Sequence, residues 1–124
     1  MYCERVISEF ENPFHMEILS DCTHVVESTN SGCGDEARIY IVCKSNVIEN
    51  IGFQAFGCAS CLAATSFLCR TVFGKDIKEV AEITREVFED AFRDLEPAQR
   101  HCIDMAEALI KKIVELKIGA DAQI

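Results

Sequence analysis

Three of the eight cysteines sit where the surrounding residues would let a sulfur atom act. Cys33 lies between Gly32 and Gly34 and is followed by Asp35, in a stretch with the composition of a flexible loop. Cys58 follows Gly57, where strand-like alternation gives way to helical spacing. Cys102 comes directly after His101, in the first turns of the last expected helix. Glycine lets a backbone wrap closely around a bound object and aim its amides at sulfur. A helix N-terminus favours thiolate, the form that binds iron. These residues are candidates for a joint metal site. Their wide separation matches no local metal-binding pattern, however, so dispersed structural cysteines are an equally good reading at this point.

The other thiols read differently. Cys58-Ala59-Ser60-Cys61 is a CxxC motif, which serves either as half a zinc site or as a redox pair. No second CxxC or nearby histidine pair completes a zinc finger, and no βαβ pattern frames a thioredoxin-like site. Cys61 instead falls on the inner face of a helix with Thr65 and Cys69, as a small apolar residue. Cys43 shares a strand face with Ile39 and Ile41 and reads the same way, while Cys3 and Cys22 have no informative context.

The elements that must position these residues follow from periodicity. Residues 2–11 space Val6, Ile7 and Phe10 for one helical face, and Asn12-Pro13 ends that helix. An irregular stretch runs to about Asp21, and residues 23–28 form a short strand. Residues 37–44 alternate Ile39, Ile41 and Cys43 against Arg38, Tyr40 and Lys44. Residues 47–56 alternate Ile51, Phe53 and Ala55 against Asn50, Gly52 and Gln54. Ser45-Asn46 joins these two strands as a tight hairpin. After Gly57, the residues Cys61, Thr65, Leu68, Cys69 and Val72 follow helical spacing until Gly74. Asp76 and Glu79 open a short helix through Ile83. Thr84 caps another, with Val87, Phe88, Ala91 and Phe92 inward. Pro97 begins a last helix that runs to about Leu116 and buries Cys102, Ala106, Leu109, Ile113 and Leu116. The expected fold is α+β: a small antiparallel sheet of about three strands with helices packed mainly on one face.

At 124 residues the chain is one domain, 1–124, and 49% hydrophobic content allows a core without disulfides. A net charge of −9 repels phosphate backbones, which argues against nucleic acid, and suits metal cations and basic protein partners. The N-terminus has neither a secretory nor a transit-peptide pattern. Residues 50–69 carry no formal charge, but Gly52, Gln54, Gly57, Ser60, Thr65 and Ser66 interrupt them, so no membrane span is expected. The expected compartment is the cytoplasm, where the cysteines stay reduced.

The residues around the three thiols resemble the IscU/NifU N-terminal iron–sulfur scaffold family. Gly32-Cys33-Gly34-Asp35 is similar to its first ligand loop, Phe56-Gly57-Cys58-Ala59-Ser60 to its second, and Leu95-Glu96-Pro97-Ala98-Gln99-Arg100-His101-Cys102 to its third. Asn12-Pro13 resembles the pair that closes the family's first helix. The likeness runs through nearly the whole chain in order and spacing. It implies an antiparallel sheet with a helical layer, and an assembly scaffold rather than an enzyme. By the same resemblance, Cys33, Cys58 and Cys102 hold a transient [2Fe–2S] cluster, Asp35 keeps it labile, and His101 is an optional fourth ligand or a donor to one. Without the motif context, Asp35 reads as a loop carboxylate and His101 as a solvated helix residue. The short interval before Cys102, with His101 present, is closer to IscU than to SufU. No further module after Ile124 is expected, as in a stand-alone domain.

The resemblance also implies partners. A cysteine desulfurase would deliver sulfur, with Cys102 the leading persulfide acceptor, and recipient apo-proteins or carriers would take the cluster. Lys111 and Lys112 are candidate docking charges or an ordinary solvated face. The segment Leu95-Glu96-Pro97-Ala98-Gln99 lacks one proline and the lysine of the family's usual sequence, which argues against release driven by an Hsp70-type chaperone. A homo-oligomer is compatible with the sequence. Two rivals share the residues: a zinc-bound sulfur-transfer protein using Cys33, Asp35, Cys58 and Cys102, and a thiol-redox protein using Cys58 and Cys61.

Overall fold

The computed structural model describes residues 4–30 and 34–122. Its elements in order are α1 (Glu4–Glu11), β1 (His24–Asn30), β2 (Asp35–Lys44), β3 (Val47–Phe56), α2 (Ala59–Val72), α3 (Ile77–Val80), α4 (Arg85–Ala91), a 3-10 turn (Pro97–Gln99) and α5 (His101–Ala122). Cys3 and Cys33 lie outside the described residues.

The sheet has the order β1-β2-β3, and both pairings are antiparallel. Ser45 and Asn46 take positive φ values of 52° and 65°, as a two-residue hairpin turn requires, and pair Lys44 with Val47. The register shifts between Val42 and Cys43, which brings both Ile48 and Ile51 inward. Ile39, Ile41, Ile51 and Phe53 are fully buried on the face covered by α2 and α5. The α+β expectation, with helices on one face, describes the molecule.

The other face of the sheet is not bare. Leu19 packs with Tyr40 and Val42 in a second, smaller cluster. The irregular segment around Glu17 passes so close to β3 that a Cβ on Gly52 would lie 2.4 Å from the Glu17 carbonyl oxygen. Tyr40, assigned to the outer face by alternation, is therefore buried there.

Helix ends follow local chemistry. Asp76 and Glu79 form the expected capping box: the Lys78 N–H donates to the Asp76 side chain, and the Asp76 N–H donates to Glu79. Thr84 precedes α4, but its side chain makes no capping hydrogen bond. Within α4, Phe88 is buried, whereas Val87 is exposed and Ala91 half-buried, so the helix turns a narrower stripe inward than expected. Pro97 opens a tight turn rather than α5. The Gln99 and Arg100 amides donate three residues back to Glu96 and Pro97, and α5 starts at His101. It continues to Ala122, beyond the expected end near Leu116.

The inward face of α1 is the clearest correction. Val6 and Glu9 are buried, while Ile7 and Phe10 are 46% and 55% exposed. A charged residue replaces the expected apolar ones because α2 supplies its partners. Ser66 donates to Glu9 Oε1 at 2.7 Å, and Arg70 donates to both carboxylate oxygens at 3.1 and 3.2 Å. The same Ser66 hydroxyl accepts from the Phe14 N–H at 2.8 Å, so one network fixes both α1 and the chain that leaves it. A buried carboxylate is tolerated only when it is paired in this way. We expect Arg70→Ala to lower stability by about 1–3 kcal/mol in urea denaturation, since it strands a buried acceptor. Arg5→Ala, which removes a 3.5 Å contact to Glu9 and a guanidinium lying 5.0 Å over the Phe67 ring but strands no buried acceptor, should cost about 1 kcal/mol or less.

Candidate metal centre

The β2–β3 register decides which residues meet. Glu36 pairs with Phe56, so Asp35 at the start of β2 lies beside Gly57 and Cys58 as the chain leaves β3. Gly57 has φ +128°, and a Cβ there would fall 1.9 Å from Asp35 Oδ1. The Asp35 carboxylate thus occupies the space that any other residue at position 57 would need.

Asp35 is 2% exposed, and its oxygens are engaged. Oδ1 accepts the Cys58 N–H at 3.0 Å. Oδ2 lies 2.6 Å from His101 Nε2 and accepts from Cys58 Sγ at 3.4 Å. Cys58 is the N-cap of α2, in extended conformation, with its sulfur 3.0 Å from Ser60 Oγ and 3.7 Å from His101 Nε2.

His101 is the first residue of α5. Its Nδ1 sits 3.1 Å from the Ala98 carbonyl in the 3-10 turn. A carbonyl only accepts, so Nδ1–H donates there, and Nε2 is turned toward Asp35 and Cys58. This is the arrangement by which proteins orient a metal-binding histidine. One oxygen, one sulfur and one nitrogen donor, from Asp35, Cys58 and His101, lie within 4.8 Å of one another. Among the described residues, this group combines hard and soft ligands as iron or zinc sites do. Its edge is open to solvent, since the His101 side chain is 22% exposed.

The remaining candidates separate. Cys102 follows His101 along the chain but is fully buried in the core and does not belong to the close three-residue group. Cys33 lies outside the described residues. Cys61 is 1% exposed, with its thiol donating to Met105 Sδ at 3.6 Å, which is the packing role expected of it. Burial pushes the Cys69 thiol well up, and desolvation raises that of half-buried Cys43, so neither is suited to supply a thiolate. Cys22, Cys43, Cys58 and Cys69 are free thiols.

Reading the residues alone passed over three parts of this centre. The Ser60 hydroxyl beside the Cys58 sulfur has a local signal, its place two residues into the helix after a cysteine cap. The Ala98 carbonyl has none, because Pro97 suits the first turn of an α-helix as well as the 3-10 turn that presents this carbonyl. The Gly57–Asp35 fit depends on strand register, which periodicity leaves open.

Comparison with known proteins bears on the family to which the chain belongs. The profile of the NifU-like N-terminal domain matches residues 1–117. The chain belongs to the NifU-like N-terminal domain family. Among the relatives of this domain, two proteins of Archaeoglobus fulgidus named iron–sulfur cluster assembly scaffold proteins IscU 1 and IscU 2 are each 38% identical over 116 residues, 93% of this chain and 76% of theirs. IscU of Aquifex aeolicus is 34% identical over 107 residues, 84% of this chain and 68% of its own. Two solved structures share the fold. The putative scaffold protein for the SUF system of Fervidobacterium islandicum AW-1 aligns with TM-score 0.74 at 20% identity, covering 89% of this chain and 93% of that one. The N-terminal NifU-like protein of Brucella abortus aligns with TM-score 0.68 at 19% identity, covering 93% and 94%.

Gly57→Ala should displace the Asp35 carboxylate and separate it from His101. Cobalt(II) titration followed in the visible range should then show affinity reduced by about 10- to 100-fold, the usual cost of losing a ligand's supporting contacts.

Proposed function

We propose that this protein is a scaffold on which a labile [2Fe–2S] cluster is assembled and from which it is transferred. The cluster is cargo rather than a resident cofactor. The observation that carries this reading is the meeting of Asp35, Cys58 and His101 at one partly open point, in a chain whose relatives are named cluster assembly scaffolds. Cys58, Cys33 and Cys102 supply the thiolates that iron requires. His101 is the fourth ligand or a hydrogen-bonding partner that positions the Asp35 carboxylate beside it. Asp35 competes for iron with a hard oxygen, which keeps retention weak and release easy.

Sulfur arrives as a persulfide from a cysteine desulfurase. Thiolate attack on the outer persulfide sulfur moves it to the scaffold and returns the desulfurase thiolate. Two electrons per sulfur from an external reductant then yield sulfide. Cys102 is the leading acceptor. It is fully buried, so it must become exposed before sulfur reaches it. The finished cluster passes to recipient apo-proteins or carriers. For docking of the desulfurase, Lys111 is the better of the two exposed lysines, since the Lys112 ammonium donates to the Glu27 carbonyl. We place the protein in the cytoplasm, where its thiols stay reduced. No helix among the described residues is long and apolar enough to cross a membrane.

The same oxygen, nitrogen and sulfur donors suit zinc, so a zinc-held sulfur carrier is the competing reading. Anaerobic reconstitution with iron, sulfide and a reductant separates the two. The scaffold reading expects visible charge-transfer bands and equal iron and acid-labile sulfide. Zinc retained in place of iron under those conditions would refute it. Serine at Cys33, Cys58 or Cys102 should remove most of the bound iron and sulfide, and serine at Cys22 or Cys43 should leave them near normal. Asp35→Ala should slow decay of the cluster absorbance in air severalfold, whereas equal or faster decay would take Asp35 out of the release step.

A further inference from the structure

Of the two thiols in Cys58-Ala59-Ser60-Cys61, the proposed site uses only the first, and the second is aligned with it. Cys58 Sγ lies 3.7 Å from His101 Nε2, and Cys61 Sγ lies 3.6 Å from Met105 Sδ. His101 and Met105 are four residues apart on α5 and so lie one above the other on one face. Cys58 is the N-cap of α2, which makes Cys61 its third helical residue, and the Cys61 N–H donates to the Cys58 carbonyl at 3.1 Å. Both thiols therefore meet the same face of α5 from adjacent rungs.

Residues at these two helix positions are the ones whose side chains reach each other's backbone amides in a capping box, which brings both side chains to the same end of the helix. Helical neighbours three apart hold their Cβ atoms about 5–6 Å from each other, against about 3.5–4.5 Å in a disulfide. Cys58 lies outside the helix proper, with φ −76° and ψ 162°, so a modest rotation of this residue closes the gap without unwinding a turn. Access is asymmetric. Cys58 is half-buried at the open edge of the site, whereas Cys61 is 1% exposed behind it. Cys69, further along α2, is fully buried and has its thiol pushed up, so it does not compete.

We propose that Cys58 and Cys61 form a reversible disulfide with Cys61 as the resolving thiol, withdrawing Cys58 from the Asp35–His101 group under oxidising conditions. The oxidant is a low-molecular-weight disulfide. The Cys58 thiolate attacks one of its sulfurs and expels the other as a thiolate, leaving a mixed disulfide on Cys58. The Cys61 thiolate then attacks the Cys58 sulfur and expels the second small thiol. Two cysteine thiols lose two electrons and two protons, and the oxidant is reduced to two thiols. Excess thiol runs the sequence backward. The bond also shields Cys58 from irreversible oxidation to sulfinic acid.

The effect of the bond on cluster loading rests on the scaffold reading, but the bond itself does not. The test begins with metal-free, reduced protein treated with oxidised glutathione, followed by proteolysis and mass spectrometry. Trypsin combined with chymotrypsin places Cys58 and Cys61 apart from Cys69. We expect a peptide that has lost two hydrogens between Cys58 and Cys61, no lasting glutathione on Cys58, and full return of both thiols with dithiothreitol. Cys61→Ala should instead hold glutathione on Cys58. The same oxidation should lower anaerobic iron and sulfide loading of the wild-type chain at least tenfold, and dithiothreitol should restore it. A lasting Cys58 adduct in the wild-type chain, or a disulfide from Cys58 to any other cysteine, would overturn the proposal. Reduced protein that never loads iron and sulfide would sink the scaffold reading and leave the disulfide mapping intact.

Discussion

Burying the Asp35 carboxylate imposes the conditions that the rest of the site satisfies. At 2% exposure it has almost no water to bond, so protein groups must meet its oxygens or its charge is prohibitively costly. The Cys58 amide meets one oxygen, and a proton held between Oδ2 and His101 Nε2 meets the other, from the end of the hairpin and the start of the last helix. Each donor is in turn held in place. Cys58 is positioned by strand register and by the space that Gly57 leaves open, and His101 by the Ala98 carbonyl in the turn before α5. Three segments distant in sequence are locked at one point by groups whose chemistry suits metal ligation. A cation entering there takes over contacts that the apo-protein makes to itself, which is a physical basis for weak holding.

Much of the frame was legible because its signals are local. Alternation of Ile39 and Ile41, the Ser45-Asn46 turn, the Asp76/Glu79 box and the helical spacing from Cys61 to Val72 each depend on residues within a few positions of one another. The failures share a different cause. Glu9 is buried because Ser66 and Arg70, far along the chain, come to it, and helical periodicity sees only the apolar Ile7 and Phe10. Tyr40 is buried by Leu19 from an irregular segment that has no period to read. Pro97 is compatible with the first turn of an α-helix or a 3-10 turn, and composition does not separate the two.

The site was legible in part. Cys58 and Asp35 stood out through their glycine neighbours, but the separation of the three thiols left dispersed cysteines equally plausible. Family resemblance supplied the grouping. The structure then adds what neither spacing nor resemblance carried: His101 is oriented by a carbonyl, Asp35 shares its carboxylate between an amide and an imidazole, and Cys102 is withdrawn into the core while Cys58 stays near solvent. On the scaffold reading, release would depend on the polar contacts around Asp35, and delivery to Cys102 on exposing a fully buried thiol.

The central claim is that this centre builds a cluster in order to give it away, and transfer tests that most directly. Protein carrying a reconstituted cluster would be mixed anaerobically with an apo-ferredoxin, and the circular dichroism of the holo-ferredoxin followed over time. The account predicts near-stoichiometric transfer from the wild-type chain, outpacing cluster formation from the same iron and sulfide free in solution. A cluster that stays on this protein while apo-ferredoxin remains empty, or transfer no faster than from free iron and sulfide, would contradict it.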